Sequence, residues 1–287
     1  MNDPTMVEQP AMVARAGPVR IGAVSYLNAR PLVEGLERCR DAVVTFDVPA
    51  RLLGALLEER VDVALAPVMD ALTSPEALAA LPVGCIASDG ATRSVALFSR
   101  TPIGAIRTVL TDAESRTSAA LCEILLRKRY GSSAEVSRAA GPIAGVAARA
   151  TDADAVLLIG DKVERDPPDP ADFPHRLDLG AAWKEWTGGP FVYAAWVCLA
   201  SRASEPVIAR GRDLLDRQRR RNAMRIGWIA DRRAPEHGWR TPEARAYLHG
   251  VIGYDFTEAH RRAVERFAAE AVALSLAPAR ARVRWAD

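Results

Sequence analysis

Two hydrophobic periods alternate along the first two thirds of this chain. Short apolar runs, each bounded by turn residues, read as buried strands, and apolar positions three and four apart read as helices. "VRIGAV" and "VVTFDV" predict strands. "PARLLGALLEER" then opens with Pro49 near a helix start and spaces Leu52, Leu53, Leu56 and Leu57 along one helical face. "VDVALAP" predicts the next strand, ending at Pro67. Strand, helix and strand over so short a stretch form a βαβ unit, which demands a covered parallel sheet and hence an α/β fold.

The pattern continues with "LPVGCIAS" and "RSVALFSR" as strand-like runs around "DGAT". A helix follows in "AALCEILLRKRYG", with Leu121, Ile124 and Leu125 apolar, basic residues in its last turns and Gly131 as C-cap. "DAVLLIGDKV" predicts a strand closed by a Gly-Asp turn. "DLGAAWKEWTGGPF" predicts a helix that breaks at Gly188, Gly189 and Pro190, and "FVYAAWVCLAS" a long strand. From Ser204 the pattern is helical, through "SEPVIARGRDLLDRQRRR", "TPEARAYLHG" and "TEAHRRAVERFAAEAVAL". This order suits two lobes joined by two chain crossings, one near 100–107 and one near 190–198. Residues 19–104 with 195–287 form the first expected lobe, and 105–194 the second. Strand ends and helix N-termini of both lobes then face a shared cleft.

Composition narrows the function. Thirty-eight basic and 36 acidic residues leave a formal charge of +2, so bulk charge indicates neither a nucleic-acid nor a membrane partner. Residues 1–18 lack the apolar core of a secretory signal and read as a loose tail. No run approaches the roughly 20 apolar residues of a membrane span, and the expectation is a cytoplasmic protein. Cys39, Cys85, Cys122 and Cys198 contain no C-x-x-C pair, and His175, His237, His249 and His260 show no ligand spacing, so no metal is expected.

Three polar turns converge on the predicted cleft. In "VSYLNARPL", Ser25, Tyr26, Asn28 and Arg30 lie where a strand ends and a helix begins. Asn28 can hold a hydroxyl or carboxylate, or it can merely cap the helix; Arg30 can clasp a carboxylate or lie in solvent. In "ESRTSAAL", Ser115, Thr117 and Ser118 precede a helix whose N–H groups favour an anion, although capping alone also explains a hydroxyl there. Gly160 and Asp161 end a predicted strand, where functional carboxylates gather. Ser94 opens a strand and can face the cleft or an edge. Trp183 and Trp186 share a helix face and read as core. The basic run "RDLLDRQRRR" has leucines on its other side and reads as a solvated helix face.

Taken together and in order, "RIGAVSYLNARPL", "DGATRSVALFS", "SRTSAALCEILL", "AVLLIGD" and "DLGAAWKEWTGGPFVYAAWV" resemble the chorismate dehydratase family of the futalosine route to menaquinone. The resemblance runs from about Val19 to about Phe267. It implies the two-lobed fold of type II periplasmic binding proteins, each lobe a mixed sheet flanked by helices, with the ligand cleft between them. It also implies loss of water from chorismate without metal or organic cofactor. The family's active-site asparagine and serine match Asn28 and Ser94. Since neither is a base at neutral pH, the substrate's own enolpyruvyl carboxylate is the expected proton acceptor. Thr117 and Ser118 are expected to hold a substrate carboxylate, and Asp161 a hydroxyl or backbone N–H groups. The sister enzyme that makes 1,4-dihydroxy-6-naphthoate, expected to use a histidine base, and a cytosolic binding protein for a small dianion are the competing readings. His175, in "DPPDPADFPHR", is expected in an exposed loop.

Overall fold

The computed structural model describes residues 17–111, 116–141, 143 and 151–286. They form two sheets. The six-stranded sheet contains β1 (Val19–Ala23), β2 (Ala42–Phe46), β3 (Val63–Pro67), β4 (Leu78–Ser88), β10 (Phe191–Leu199) and β11 (Arg284–Trp285), in the order β11-β4-β10-β3-β1-β2. β1 pairs in parallel with β2 and β3, and β10 runs antiparallel between β3 and β4. The five-stranded sheet orders β7-β6-β8-β5-β9, from β5 (Val95–Ser99), β6 (Thr108–Thr111), β7 (Glu135–Arg138), β8 (Ala155–Ile159) and β9 (His175–Asp178). Both sheets are mixed, as antiparallel β5 lies between β8 and β9 while β6 runs parallel to β7 and β8.

Helices form where the apolar spacing requires them. α1 (Arg30–Val33) carries Pro31 in its first turn, and α2 (Pro49–Leu57) starts at Pro49, where the missing N–H costs nothing. Leu52 and Leu56 of α2 are fully buried, each worth about 1.5–3 kcal/mol of transfer free energy. α3 (Val68–Thr73) follows β3 directly, and α4 (Arg116–Lys128) buries Leu121, Ile124 and Leu125 as expected. α5 (Lys162–Arg165) follows β8. In α6 (Leu179–Thr187) the Asp178 carboxylate accepts from Ala181 N, and the helix ends at Gly188. α7 (Pro206–Ala223), α8 (Ile226–Arg233) and α9 (Thr241–Gly250) pack through Leu214, Ala230 and Tyr247 into the core of the six-stranded sheet. α10 (Glu258–Ala273) instead joins the second large core through Val264 and Phe267, beside Leu121 and Trp183.

Two expectations need correction. β5 belongs to the five-stranded sheet, so the chain first crosses between Ser88 and Val95, not near 100–107. The cause lies in "DGATRS": Gly90 and Arg93 both take positive φ (128° and 59°). These turns swing β5 away from β4. The return crossing precedes Phe191, since all of β10 lies in the six-stranded sheet. His175 does not sit in a loop; it opens β9 opposite Ser99 and is half-buried. Trp183 and Trp186 do meet edge to face, and buried Trp183 donates its indole N–H to Pro190 O at 2.9 Å.

Candidate active site

A cavity of about 310 Å³ lies where the two sheets approach each other. Tyr26, Asn28, Ser94, Thr117, Ser118, Gly160 and Asp161 all line it. The turn after β1 explains how the first two arrive. Leu27 and Ala29 are fully buried and anchor a single 3-10 turn, so the alternate residues Tyr26 and Asn28 face outward to the cavity. Asn28 Oδ1 is buried with no hydrogen-bond partner among the described residues.

Ser25 and Arg30 do not belong to the lining. Ser25 is exposed, and the Arg30 guanidinium lies over the Phe46 ring at 5.0 Å and 3.6 Å from Glu37. The reason is geometric: position 30 already lies in α1, whose turn sends its side chain towards β2. Ser115 lies outside the described residues.

Ser94 is delivered by the bend that redirects β5. The Asp178 carboxylate accepts from Thr92 N at 3.0 and 3.1 Å and from Arg93 N at 2.8 Å, while it also caps α6. Left-handed backbone is costly for a residue with a Cβ, and these bonds offset that cost at Arg93. A salt bridge of 3.0 Å from Arg93 to Glu164 adds to the restraint. Burial works against Glu164's charge, but Arg93 and Arg176 overcome it and hold its carboxyl below the usual range. Close packing at this bend also requires Gly180. A Cβ there would lie 2.4 Å from Gly90 O and 2.7 Å from Ser88 Oγ. Downstream, Gly160 N donates to Ser94 O at 2.7 Å, bringing the Gly160–Asp161 turn beside Ser94. Gly160 has φ 68°, which suits glycine at this approach.

Asp161 stands at the start of α5, but its side chain makes no cap bond to that helix. Burial pushes its carboxyl up. The Trp239 indole, His237 and Arg165 pull the other way, although no hydrogen bond to Trp239 Nε1 closes. His237, beside it, is pushed down by burial and by Arg30. His237 is not among the cavity lining.

Thr117 and Ser118 stand in the first turn of α4, buried and facing the cavity. Thr117 Oγ1 accepts from Met69 N at 3.0 Å, which ties α4 to the start of α3. Arg116 and Lys162 add positive charge to the lining. The Arg116 guanidinium lies 3.0 Å from Asp70 and donates to Thr73 Oγ1 at 2.8 Å. Burial pushes the Asp70 carboxyl up, against the pull of Arg116 and Arg138.

Several lining or supporting groups escape the sequence reading. Arg116 is a cation at a helix N-terminus, against the dipole preference, and that conflict is a readable sign of a purpose other than helix stability. Tyr193 puts a phenol into the apolar run of β10; its hydroxyl is buried beside Ser88 and Thr92, and burial pushes it well up. Tyr247 donates to Ser94 Oγ at 2.9 Å across 153 residues of sequence, which no local pattern signals. Among the described residues no group of three His, Cys, Asp or Glu is placed to hold a metal ion. No helix among them is long and apolar enough to cross a membrane.

The arrangement suits a small anion with hydroxyl or ether oxygens. Apolar walls come from Val24, Leu65, Ile86 and Ile159, cations from Arg116 and Lys162, and hydrogen-bonding groups from both sheets.

Known proteins agree with this architecture. Residues 19–273 match a family model described as menaquinone biosynthesis. A chorismate dehydratase of Thermus thermophilus is 30% identical over 275 residues, 91% of this chain and 97% of that protein. Among solved structures, a protein of Archaeoglobus fulgidus superposes with a TM-score of 0.66 at 15% identity, over 92% of this chain and 100% of that one. The periplasmic aliphatic sulphonate binding protein of Escherichia coli gives 0.52 at 14% identity, over 92% and 89%. A Candida albicans protein with the generic periplasmic binding protein fold gives 0.56 at 10% identity, over 90% of each chain. The structural likenesses establish the fold, a two-lobed one of periplasmic-binding-protein type. With the family model matching residues 19–273 and the Thermus relative matched over 97% of its length, the chain belongs to the chorismate dehydratase family of menaquinone biosynthesis.

Proposed function

We propose that the protein is a chorismate dehydratase, a hydro-lyase that converts chorismate to 3-(1-carboxyvinyloxy)benzoate and water in the futalosine route. Chorismate is a cyclohexadiene with a ring carboxylate, an enolpyruvyl ether and a hydroxyl on the adjacent carbon. Loss of the proton at the ether-bearing carbon and of that hydroxyl makes the ring aromatic. Aromaticity supplies the driving force. The observation that carries the reading is the meeting of Asn28, from the six-stranded sheet, with Ser94, from the approach to the five-stranded sheet, at one cavity.

Neither side chain is a base at neutral pH, so catalysis here is a matter of position. The substrate's enolpyruvyl carboxylate takes the ring proton, and the ring carboxylate absorbs the resulting charge through the diene. Asn28 and Ser94 orient the enolpyruvyl carboxylate and the departing hydroxyl. Thr117, Ser118 and the Arg116 guanidinium at the start of α4 hold a carboxylate, with Lys162 opposite adding charge. Tyr26 covers the cavity. Asp161 accepts from a substrate hydroxyl.

The test is incubation of the purified protein with chorismate, with the product identified by mass and proton resonance. An aromatic product lighter than chorismate by one water is expected. Tight binding without reaction would support the binding-protein reading, and neither binding nor reaction would defeat both.

A further inference from the structure

Ser94 receives a hydrogen bond from the distant end of the chain. Tyr247 lies on α9, 2% exposed, with its ring stacked on Trp239 at 4.9 Å and 16°. Its hydroxyl lies 2.9 Å from Ser94 Oγ, and Thr92 Oγ1 lies 3.1 Å from the same atom. A serine hydroxyl has one proton to give and two lone pairs to fill. Burial pushes the Tyr247 phenol up to about 12, against the pull of Ser94 and Asn28, so it stays protonated at neutral pH and donates. One lone pair of Ser94 is thereby filled. When Thr92 donates to the other, the Ser94 proton is left for the cavity.

The location of this bond matters as much as its direction. α9 packs in the core of the six-stranded sheet, whereas Ser94 leads into the five-stranded sheet. The same closure is spanned by Arg165 Nη1, which donates to His237 O at 3.1 Å. Of the two, only the Tyr247 bond ends on an atom assigned to the reaction.

We propose that Tyr247 is a positioning residue: its hydroxyl fixes Ser94 as a donor towards the substrate, and does so only when the two halves of the molecule are closed. The proposal rests on the dehydratase reading for its effect on rate, but the closing bond itself does not.

Tyr247→Phe keeps the ring and its stacking on Trp239 and removes only the hydroxyl. With chorismate, kcat is expected to fall by about tenfold or more while KM changes little, as for an interaction that matters mainly in the transition state. In a Ser94→Ala background the same substitution is expected to have no further effect on kcat. A Tyr247→Phe enzyme with wild-type kcat, or one whose loss simply multiplies with that of Ser94→Ala, would overturn the proposal. Turnover by the wild-type protein reports on the dehydratase reading separately. If the wild type is inert towards chorismate, that reading fails and hydrogen exchange judges the bond. Faster amide exchange over residues 92–98 in Tyr247→Phe supports the closing bond, and unchanged exchange overturns it.

Discussion

Two buried polar regions of this protein are built on opposite terms. Beneath the six-stranded sheet, Asp62 is 3% exposed, and both its oxygens are saturated. They accept from Arg20 N, Nε and Nη2 at 2.9, 3.1 and 2.6 Å and from Arg202 Nη2 at 3.1 Å. Arg202 is held in turn by Glu205 at 2.8 Å. In the cavity, by contrast, Asn28 Oδ1, Tyr193 Oη and Arg116 Nε are buried with no hydrogen-bond partner among the described residues. An unmet buried polar atom costs about 1–3 kcal/mol, so a fold selected for stability alone would pair it or replace it. The contrast teaches where to look for function: the Asp62 cluster closes on itself, while the cavity leaves capacity for another molecule.

Substitutions can break or sharpen this contrast. The largest effect is expected at the cavity: Asn28→Ala or Ser94→Ala should lower kcat with chorismate by about 10²–10³-fold, as for loss of a donor aimed at developing charge. The thermal midpoint of Asn28→Ala should stay near the wild-type value, because Asn28 Oδ1 accepts no internal hydrogen bond, whereas Ser94→Ala should also lower it by the loss of the bonds to Tyr247 and Thr92. Turnover near wild type in both variants would remove the role assigned to the pair.

Asp62→Ala should do the reverse. It is expected to cost about 2–3 kcal/mol in denaturant unfolding, in line with hydrogen bonds to a charged group, and to leave kcat unchanged. The pH dependence has a definite sign. Burial alone would raise the Asp62 carboxyl, but the bonds from Arg20 and Arg202 outweigh it and hold the carboxyl below its ordinary value. Its stabilisation is therefore full above the unfolded value of about 3.9 and is lost as pH falls through the lower folded value. Wild-type and Asp62→Ala unfolding curves should converge in acid. Curves that stayed equally far apart down to the lowest accessible pH would contradict the assignment.

A smaller effect is expected at Arg116, which serves both regions' logic at once by pairing with Asp70 and lining the cavity. Arg116→Gln should raise KM for chorismate by about tenfold with a lesser effect on kcat, the pattern of lost ground-state binding. A kcat loss with KM unchanged would move Arg116 from binding to chemistry.

Much of this was legible in the sequence, and for physical reasons. Strand-end and helix-start positions can be read locally, so Asn28, Ser94, Thr117, Ser118, Gly160 and Asp161 could be singled out, and all line one cavity. Arg30 and Ser25 looked equivalent to Asn28 because sequence spacing does not reveal which side of a 3-10 turn is anchored; buried Leu27 and Ala29 decide that. β9 was hidden because His175–Asp178 follows a Pro- and Asp-rich stretch, and its conformation depends on pairing with β5. The bend at Arg93 was likewise invisible, since the carboxylate that stabilises it, Asp178, lies 85 residues away. Tyr247 is the extreme case, a helix residue whose importance rests on one bond made only in the folded chain.

The central claim is that the unpaired groups of the cavity exist to hold a doubly charged ring acid. A crystal structure with the dehydration product bound tests it most directly. The account predicts the enolpyruvyl group within hydrogen-bond distance of both the Asn28 amide and the Ser94 hydroxyl, and a carboxylate at the start of α4. Product bound elsewhere, or bound in the cavity with neither the Asn28 amide NH2 group nor the Ser94 hydroxyl donating to it, would contradict it.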